Sequence, residues 1–504
     1  MKYFTSLLIF IIGILFSCSS DKVEKRDITD TILKDTSSYF YIHAANYPKQ
    51  NKTLPIGIFD SGTGGLTVLD AIVNYDKHNN DENTSLSNGD GKLDFQQESF
   101  IYLGDMANMP YGQYSSHNKT ELLREHIIKD VQFLLNNKYY SSPENIKYTD
   151  NKSPIKALVI ACNTATAYGK DDIEKFLATA GINMKVIGVI GAGVRGALSN
   201  ISKDEDASVG VLATFGTVCS NGYLNELNST HTKMEYTGKL KVFQQAGVGW
   251  AGAIDGATEY ISRNSNRPRD KYKGPSISNI DALVDTTILS RYNFDWTDNH
   301  MLFEGSSKTP KNIQINSIEN YTSYHIVSLL EQIIKVEKTP KLKSIILGCT
   351  HYPFYIDQIR NKLKELYGYK ENGKYVYRYV MDENIDIIDP AENTSKELYE
   401  YLESTQLFNE SDLSNSEFYI SVANKDNPNN IIGEDGNFVY EYKYGRESNE
   451  IQEYVKRVPF SKSTLGPDAI TMLNDKAPYT FGLIKQFVNN NPKTSQLPVS
   501  EKLN

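Results

Sequence analysis

Two cysteines, Cys162 and Cys349, stand in short motifs of small polar residues, A-C-N-T-A-T and G-C-T-H-Y-P. Each motif follows an apolar, β-branched run that is typical of a buried strand, at residues 157–160 and 344–347. Open α/β sheets bind their ligands at the carboxyl ends of their strands. A thiol titrates close enough to neutral pH to act as a base in one direction and an acid in the other. The pairing predicts two acid/base groups that face one small substrate from opposite sides.

The elements around these motifs alternate between strand and helix patterns. Residues 54–59 are an apolar strand that ends in D-S-G-T-G-G, and a helical spacing of apolar residues follows. Alternation of this kind indicates a parallel α/β sheet. We therefore predict an α/β fold, with two similar parallel-sheet domains and the active site in the cleft between them. Further strands are predicted at 100–103, 157–160, 186–189 and 209–212.

Composition limits the classes of protein that this chain can belong to. Of its 504 residues, 39% are hydrophobic and 23% are charged, which fits a folded protein better than a disordered one. The formal charge of −9, with no offsetting basic stripe, argues against a nucleic-acid partner.

The amino-terminal segment differs from the rest of the chain. Lys2 precedes an apolar run at 7–16, which has the length of a signal-peptide core and is short for a membrane span. Leu15-Phe16-Ser17-Cys18 resembles a bacterial lipobox, in which Cys18 is lipidated and becomes the mature amino terminus. We predict a membrane-anchored lipoprotein on the exported face. The alternatives are an ordinary cleaved signal peptide or an uncleaved anchor, and a cytoplasmic protein if the signal is not used.

The patterns predict a division of the chain into segments. The signal peptide is 1–18 and the tether is 19–52. The first α/β domain, with Cys162, is 53–205 and is completed by residues from about 385–430. The second, with Cys349, is 206–384 and carries a polar insert at about 263–320. Residues 431–504 form a carboxyl-terminal extension that the pattern assigns to no fold.

Six motifs, taken together and in order, resemble the cofactor-independent aspartate/glutamate racemase family, and its glutamate-specific members most closely. The resemblance implies racemisation of glutamate without a cofactor or a metal, in which one cysteine removes the α-proton and the other returns one. It also implies a role in supplying D-glutamate for peptidoglycan. The motifs begin at Pro55 (P-I-G-I-F-D-S-G-T-G-G-L-T-V-L), Ile101 (I-Y-L-G-D-M-A-N-M-P-Y-G), Val159 (V-I-A-C-N-T-A-T-A), Val186 (V-I-G-V-I-G-A-G), Val209 (V-G-V-L-A-T-F-G-T-V-C-S-N-G-Y) and Ile346 (I-L-G-C-T-H-Y-P).

The resemblance also implies roles for individual residues. Cys162 would act on the D-enantiomer with the assistance of Asp60, and Cys349 on the L-enantiomer with the assistance of His351. A histidine at 351 favours glutamate, because aspartate racemases tend to carry a carboxylate there. The implied substrate contacts are Asp60, Ser61, Tyr111, Gly112, Asn163, Thr164, Thr350 and His351.

Departures from the family pattern leave alternatives open. Gly191 stands where the family usually has an acid, and the glutamate expected on the Cys349 side has no clean match, although Asp255 lies nearby. The chain could therefore be a racemase of another acidic amino acid, or a membrane-tethered amino-acid-binding protein that has lost catalysis. A related decarboxylase or isomerase often keeps only one cysteine, and this chain has both. A homodimer is left open.

Overall fold

The computed structural model describes residues 27–49, 51–80, 84–85, 89–254, 256, 258–262 and 264–503. Cys18 and Asp255 lie outside these residues, so the predictions about them rest on the sequence alone. Among the helices of the described part, none combines the length and the apolar character needed to cross a bilayer.

Strands and helices alternate along much of the described part of the chain. The strands are β1 Ile56–Asp60, β2 His78–Asn79, β3 Thr84–Ser85, β4 Phe100–Gly104, β5 Ala157–Ile160, β6 Lys185–Gly188, β7 Ala207–Ala213, β8 Leu240–Ala246, β9 Met301–Ser306, β10 Thr309–Ile315, β11 Leu342–Gly348, β12 Lys370–Glu371, β13 Lys374–Tyr375, β14 Met381–Ile388, β15 Glu417–Ala423 and β16 Val455–Pro459. The helices are α1 Ile28–Lys34, α2 Leu66–Val73, α3 Gly112–Ser116, α4 Thr120–Leu135, α5 Asn163–Ala180, α6 Val189–Ser199, α7 Phe215–Cys219, α8 Gly222–Lys233, α9 Trp250–Ile254, α10 Leu289–Tyr292, α11 Ile318–Ile334, α12 Ile356–Gly368, α13 Pro390–Thr405, α14 Tyr440–Gly445, α15 Lys462–Lys476 and α16 Pro478–Asn490.

The first domain is built on a six-stranded sheet in the order β16-β15-β4-β1-β5-β6. All neighbours pair in parallel except β15 and β16, which are antiparallel. Strands β1, β4 and β5 are buried along their whole length, because helices cover both faces of a parallel sheet. The register pairs Asp60 with Gly104 and Phe59 with Ile160, so the loops after β1, β4 and β5 leave the same edge of the sheet.

The second domain is built on a parallel sheet of four strands in the order β14-β11-β7-β8. Gly348 pairs with Ala213, and Ala213 pairs with Ala246. The loops after β11, β7 and β8 therefore begin side by side, and Cys349 is the first residue of one of them. The predicted α/β fold with two mostly parallel sheets is confirmed.

The segment from 389 to 503 returns to the first domain, including the extension that the sequence pattern left without a fold. Helix α13 adds Leu398 and Leu402 to the core of the first domain. Strand β15 pairs with β4, and β16 from the extension extends the sheet beyond it. Helix α16 adds Phe481, Ile484 and Phe487 to the same core.

The polar insert of the second domain contains the antiparallel hairpin β9–β10 and the short helix α10. Its apolar side chains, among them Phe294 and Ile313, pack into the core of the second domain with Trp250 and Tyr324. The insert is therefore packed onto the domain through a few apolar residues spaced between polar ones.

Candidate active site

Cys162 is the amino-terminal cap of α5, immediately after the buried strand β5. Its Sγ accepts a hydrogen bond from the Ala165 N–H at 3.4 Å, and its thiol donates to Ser61 Oγ at 3.6 Å. The side chain is 6% exposed. Burial and the nearby Asp60 carboxylate raise the pKa of Cys162 to about 12, against the lowering effect of the two hydrogen bonds.

Asp60 ends β1 beside Cys162 and Ser61. Its carboxylate accepts hydrogen bonds from the Gly62 N–H at 3.2 Å and the Gly65 N–H at 2.9 Å. A β-carbon at Gly65 would lie 2.5 Å from Asp60 Cβ, so the turn needs glycine there. Asp60, which the family resemblance pairs with Cys162, is thus held in place by backbone donors, and it raises the pKa of the thiol through its charge.

Cys349 follows β11 and is also 6% exposed. Its Sγ lies 3.6 Å from Nδ1 of His351, the residue that the sequence pairs with it. Behind this motif the Tyr352 ring stacks on Trp250, with ring centroids 4.3 Å apart. This aromatic packing fixes the backbone that carries Cys349 and His351.

The two domains meet at the loops that carry the cysteine motifs. Asn163, Cys349 and Thr350 line one cavity of about 160 Å³ between the domains. A β-carbon built on Gly64 would lie 3.5 Å from Thr350 Oγ1, and one built on Gly112 would lie 3.7 Å from the Gly216 Cα. The segments that follow β1, β5 and β11 therefore meet at this cavity, and Gly112 contacts the second domain at Gly216.

Tyr111 is the amino-terminal cap of the short helix α3 and Gly112 is its first residue, in the segment between β4 and α4. The Tyr111 side chain is buried, and its hydroxyl lies 2.6 Å from a carboxyl oxygen of Asp105 and 2.6 Å from one of Asp130. Because that hydroxyl is taken, the predicted substrate contact at 111 and 112 can only be made by the backbone. Asn163 and Thr164 are the first two residues of α5, where helix N–H groups favour a carboxylate.

The sequence prediction missed several residues of this region, among them Tyr223 and Asp389. Tyr223 donates to Asn163 Oδ1 at 2.9 Å, and it is the last residue of the motif T-V-C-S-N-G-Y. Asp389 caps α13 and lines the cavity, and burial raises its pKa to about 6. Tyr223 could have been found from its motif, whereas Asp389 follows a strand that carries no distinctive motif.

Within the described residues, no three His, Cys, Asp or Glu side chains are grouped so that they could hold a metal ion. Asp60, Ser61, Cys162 and His351 are not among the residues that line the cavity. The polar side chains that line it belong to Thr67, Asp70, Asn163, Cys349, Thr350, Asp389 and Lys476. This set can exchange protons with a substrate and donate hydrogen bonds to its carboxylates.

Comparison with known proteins finds relatives by sequence, although no family model matches the chain. The glutamate racemase of Sulfurihydrogenibium sp. is 32% identical over 182 residues, which are 36% of this chain and 52% of the relative. That of Oceanobacillus iheyensis is 33% identical over 36% of this chain and 50% of its own length. The chain thus spans about half the length of these relatives. The glutamate racemase of Fusobacterium nucleatum is 30% identical over 234 residues, 46% of this chain and 68% of the relative.

Solved structures show a weaker likeness. A glutamate racemase from Bacillus anthracis is 21% identical, with 73% of this chain and 88% of that chain covered and a TM-score of 0.41. A glutamate racemase from Francisella tularensis, in complex with D-glutamate, is 19% identical, with 79% and 95% covered and a TM-score of 0.39.

Proposed function

The chain belongs to the glutamate racemase family, and from this premise we propose that it interconverts L- and D-glutamate with two cysteines and no cofactor. The observation that carries the proposal is the position of Cys162 and Cys349. Each follows a parallel strand of a different sheet, is buried, and has a hydrogen-bonding partner. An inversion at Cα needs an acid and a base on opposite faces of the substrate, and two domains that meet at a cleft can supply one each.

In the proposed reaction the thiolate of one cysteine takes the α-proton and becomes a thiol. The electron pair of the broken C–H bond stays on the substrate as a carbanion, which then receives a proton from the other thiol on the opposite face. The raised pKa of Cys162 makes its thiol the resting form, ready to return a proton. His351, 3.6 Å from Cys349 Sγ, is the partner that would take up or stabilise the proton on that side.

Substrate recognition in this proposal depends on donors from both domains. Glutamate carries two carboxylates, and the amino terminus of α5 at Asn163 and Thr164 suits one of them. The hydroxyls of Ser61 and Thr350 and the backbone at Gly112 supply further donors. Charge-assisted hydrogen bonds of this kind can hold carboxylates without a metal.

A second candidate is an amino-acid-binding protein that keeps the cleft without catalysis. The buried, protonated state of Cys162 favours it, because a thiol with a pKa of about 12 is a poor base near neutral pH. Export through the lipobox at Cys18 favours it as well, because peptidoglycan precursors are made in the cytosol. We keep the lipid anchor and the exported location as part of the proposal, supported by the sequence around Cys18.

The deciding experiment measures racemisation by the purified protein with L- or D-glutamate in D₂O and no added cofactor. We expect the optical signal of both enantiomers to decay to zero, with deuterium incorporated at Cα. Ligand-induced thermal stabilisation without any deuterium at Cα would instead identify the binding protein.

A further inference from the structure

The segment that carries Tyr111 and Gly112 is hydrogen-bonded by the carboxyl-terminal extension, residues 431–504. Three cations of the extension contact this segment or Asp130, which is hydrogen-bonded to Tyr111. The Lys443 ammonium donates to the Met109 carbonyl at 2.8 Å. Arg446 donates to Asn108 Oδ1 at 2.8 Å, and Arg457 donates to Asp130 Oδ1 at 3.0 Å.

The groups that receive these bonds form a buried network under Tyr111. Asn108 donates to both oxygens of Asp105, at 3.1 Å and 3.0 Å. Tyr111 has a single hydroxyl proton and two carboxyl neighbours at 2.6 Å, Asp105 and Asp130. It can donate to one of them, so the other carboxyl must be protonated and donate to the Tyr111 oxygen. Burial and the nearby Asp105 raise the pKa of Asp130 well above its ordinary value. Two carboxyls are therefore held on either side of one hydroxyl in the protein interior.

The negative charge of this pair is balanced by buried cations, of which Arg457 bonds Asp130 directly and Arg446 bonds Asn108, the donor to Asp105. Asp105 and Asp130 are fully buried, and the Arg446 and Arg457 side chains are 5% and 2% exposed. Removal of one partner from a buried ionic group leaves the other charge without compensation, which is strongly unfavourable. Arg446 is itself enclosed by the rings of Phe438, Tyr442 and Tyr454, all from the extension. The extension thus supplies both the charges and their packing.

We propose that Arg446, Arg457 and Lys443 are positioning residues, through which the extension sets the backbone of Tyr111 and Gly112 at the substrate cleft. The inference rests on the proposed function. Gly112 lies close to Gly216 of the second domain, so a shift of this segment directly changes the contact between the two domains. The sequence left the extension without a role, and this network gives it one.

The test compares Arg446→Met with Lys456→Met in the full chain. Lys456 is a matched control, because it is a buried cation of the same extension that binds the Pro143 and Asn145 carbonyls and Asp426 instead. We expect Arg446→Met to raise KM for both enantiomers at least tenfold relative to Lys456→Met, with kcat changed less than threefold. We also expect the backbone amides of 105–112 to exchange hydrogen at least tenfold faster than in the control.

Equal KM values and equal exchange at 105–112 in the two variants would overturn the proposal. If Arg446→Met does not fold, Lys443→Met is the second variant, because it removes only the contact to the Met109 carbonyl. We expect about a threefold rise in KM for this variant. An unchanged KM and unchanged hydrogen exchange at 105–112 would count against the proposal. A wild type that neither racemises nor binds D-glutamate would refute the proposed function alone, because the exchange measurement still decides whether the extension holds the loop.

Discussion

Tyr223 of the second domain donates a 2.9 Å hydrogen bond to the Asn163 side chain of the first. Asn163 directly follows Cys162. Burial raises the pKa of Tyr223, with smaller contributions from Asp389 and from Cys349. One buried hydroxyl therefore links the surroundings of both cysteines. Any opening of the cleft that separates α5 from α8 must break this bond.

Tyr223→Phe should weaken the closed arrangement of the two domains. Loss of the bond leaves the Asn163 amide oxygen without its partner, an effect of ~1 kcal/mol. We expect kcat/KM for glutamate to fall about fivefold, since RT ln 5 is about 1 kcal/mol. Tyr236→Phe is the control, because it removes a bond of similar length to the Leu198 carbonyl away from the cleft. An equal loss of kcat/KM in both variants would contradict this role.

Cys162→Ser and Cys349→Ser should each lower racemisation by about 10²–10⁴-fold, the usual contribution of a general base or acid. Each variant should keep one half of the chemistry. With a β-chloro analogue of glutamate, Cys349→Ser should still eliminate HCl from the D-enantiomer and Cys162→Ser from the L-enantiomer, because elimination needs only proton removal. Chloride release measured for all four combinations checks this. If both variants prefer the same enantiomer, the assignment of a face to each thiol is wrong.

The state of Cys162 should be visible in its reactivity with iodoacetamide. Only the thiolate reacts, and below a pKa of about 12 its fraction rises tenfold for each pH unit. We expect the rate of Cys162 alkylation to climb with this slope from pH 7 to pH 10 without levelling off. Peptide mass spectrometry measures the alkylation of both cysteines, and the exposed Cys219 of the same molecule serves as the internal reference for the reagent. A plateau below pH 9 would show that the thiol ionises more easily than its burial implies.

Cys18→Ala should move the protein out of the membrane fraction of a bacterial host, or leave its signal segment unprocessed. The wild type should carry a lipid on Cys18, which mass spectrometry of the mature amino terminus can detect. Ser17→Ala, which keeps the cysteine, is the control and should stay with the membrane. A wild type with an intact Met1 in the soluble fraction would refute the anchor and leave Cys162 and Cys349 in a reducing compartment.

The sequence by itself determined the local units of this protein. A buried strand followed by small polar residues and a helical pattern identifies a β-loop-α unit from neighbouring residues alone, and such units carry Cys162, Asp60 and Cys349. The pairing of Cys349 with His351 is also local, since only Thr350 lies between them in the sequence. Motif order then gave the family, because each motif is read without reference to distant parts of the chain.

Only the tertiary structure decided which distant residues support these units. Tyr111 was predicted as a substrate contact, yet its hydroxyl is taken by Asp105 and Asp130, and Arg457 reaches that pair from more than 300 residues away. The sequence pattern of the extension predicts no fold, because the extension contributes to the structure through a few buried cations and aromatic rings. A buried charge is stable only beside its partners. Those partners are brought together by the whole fold, so they cannot be predicted from the residues that neighbour the charge in the sequence.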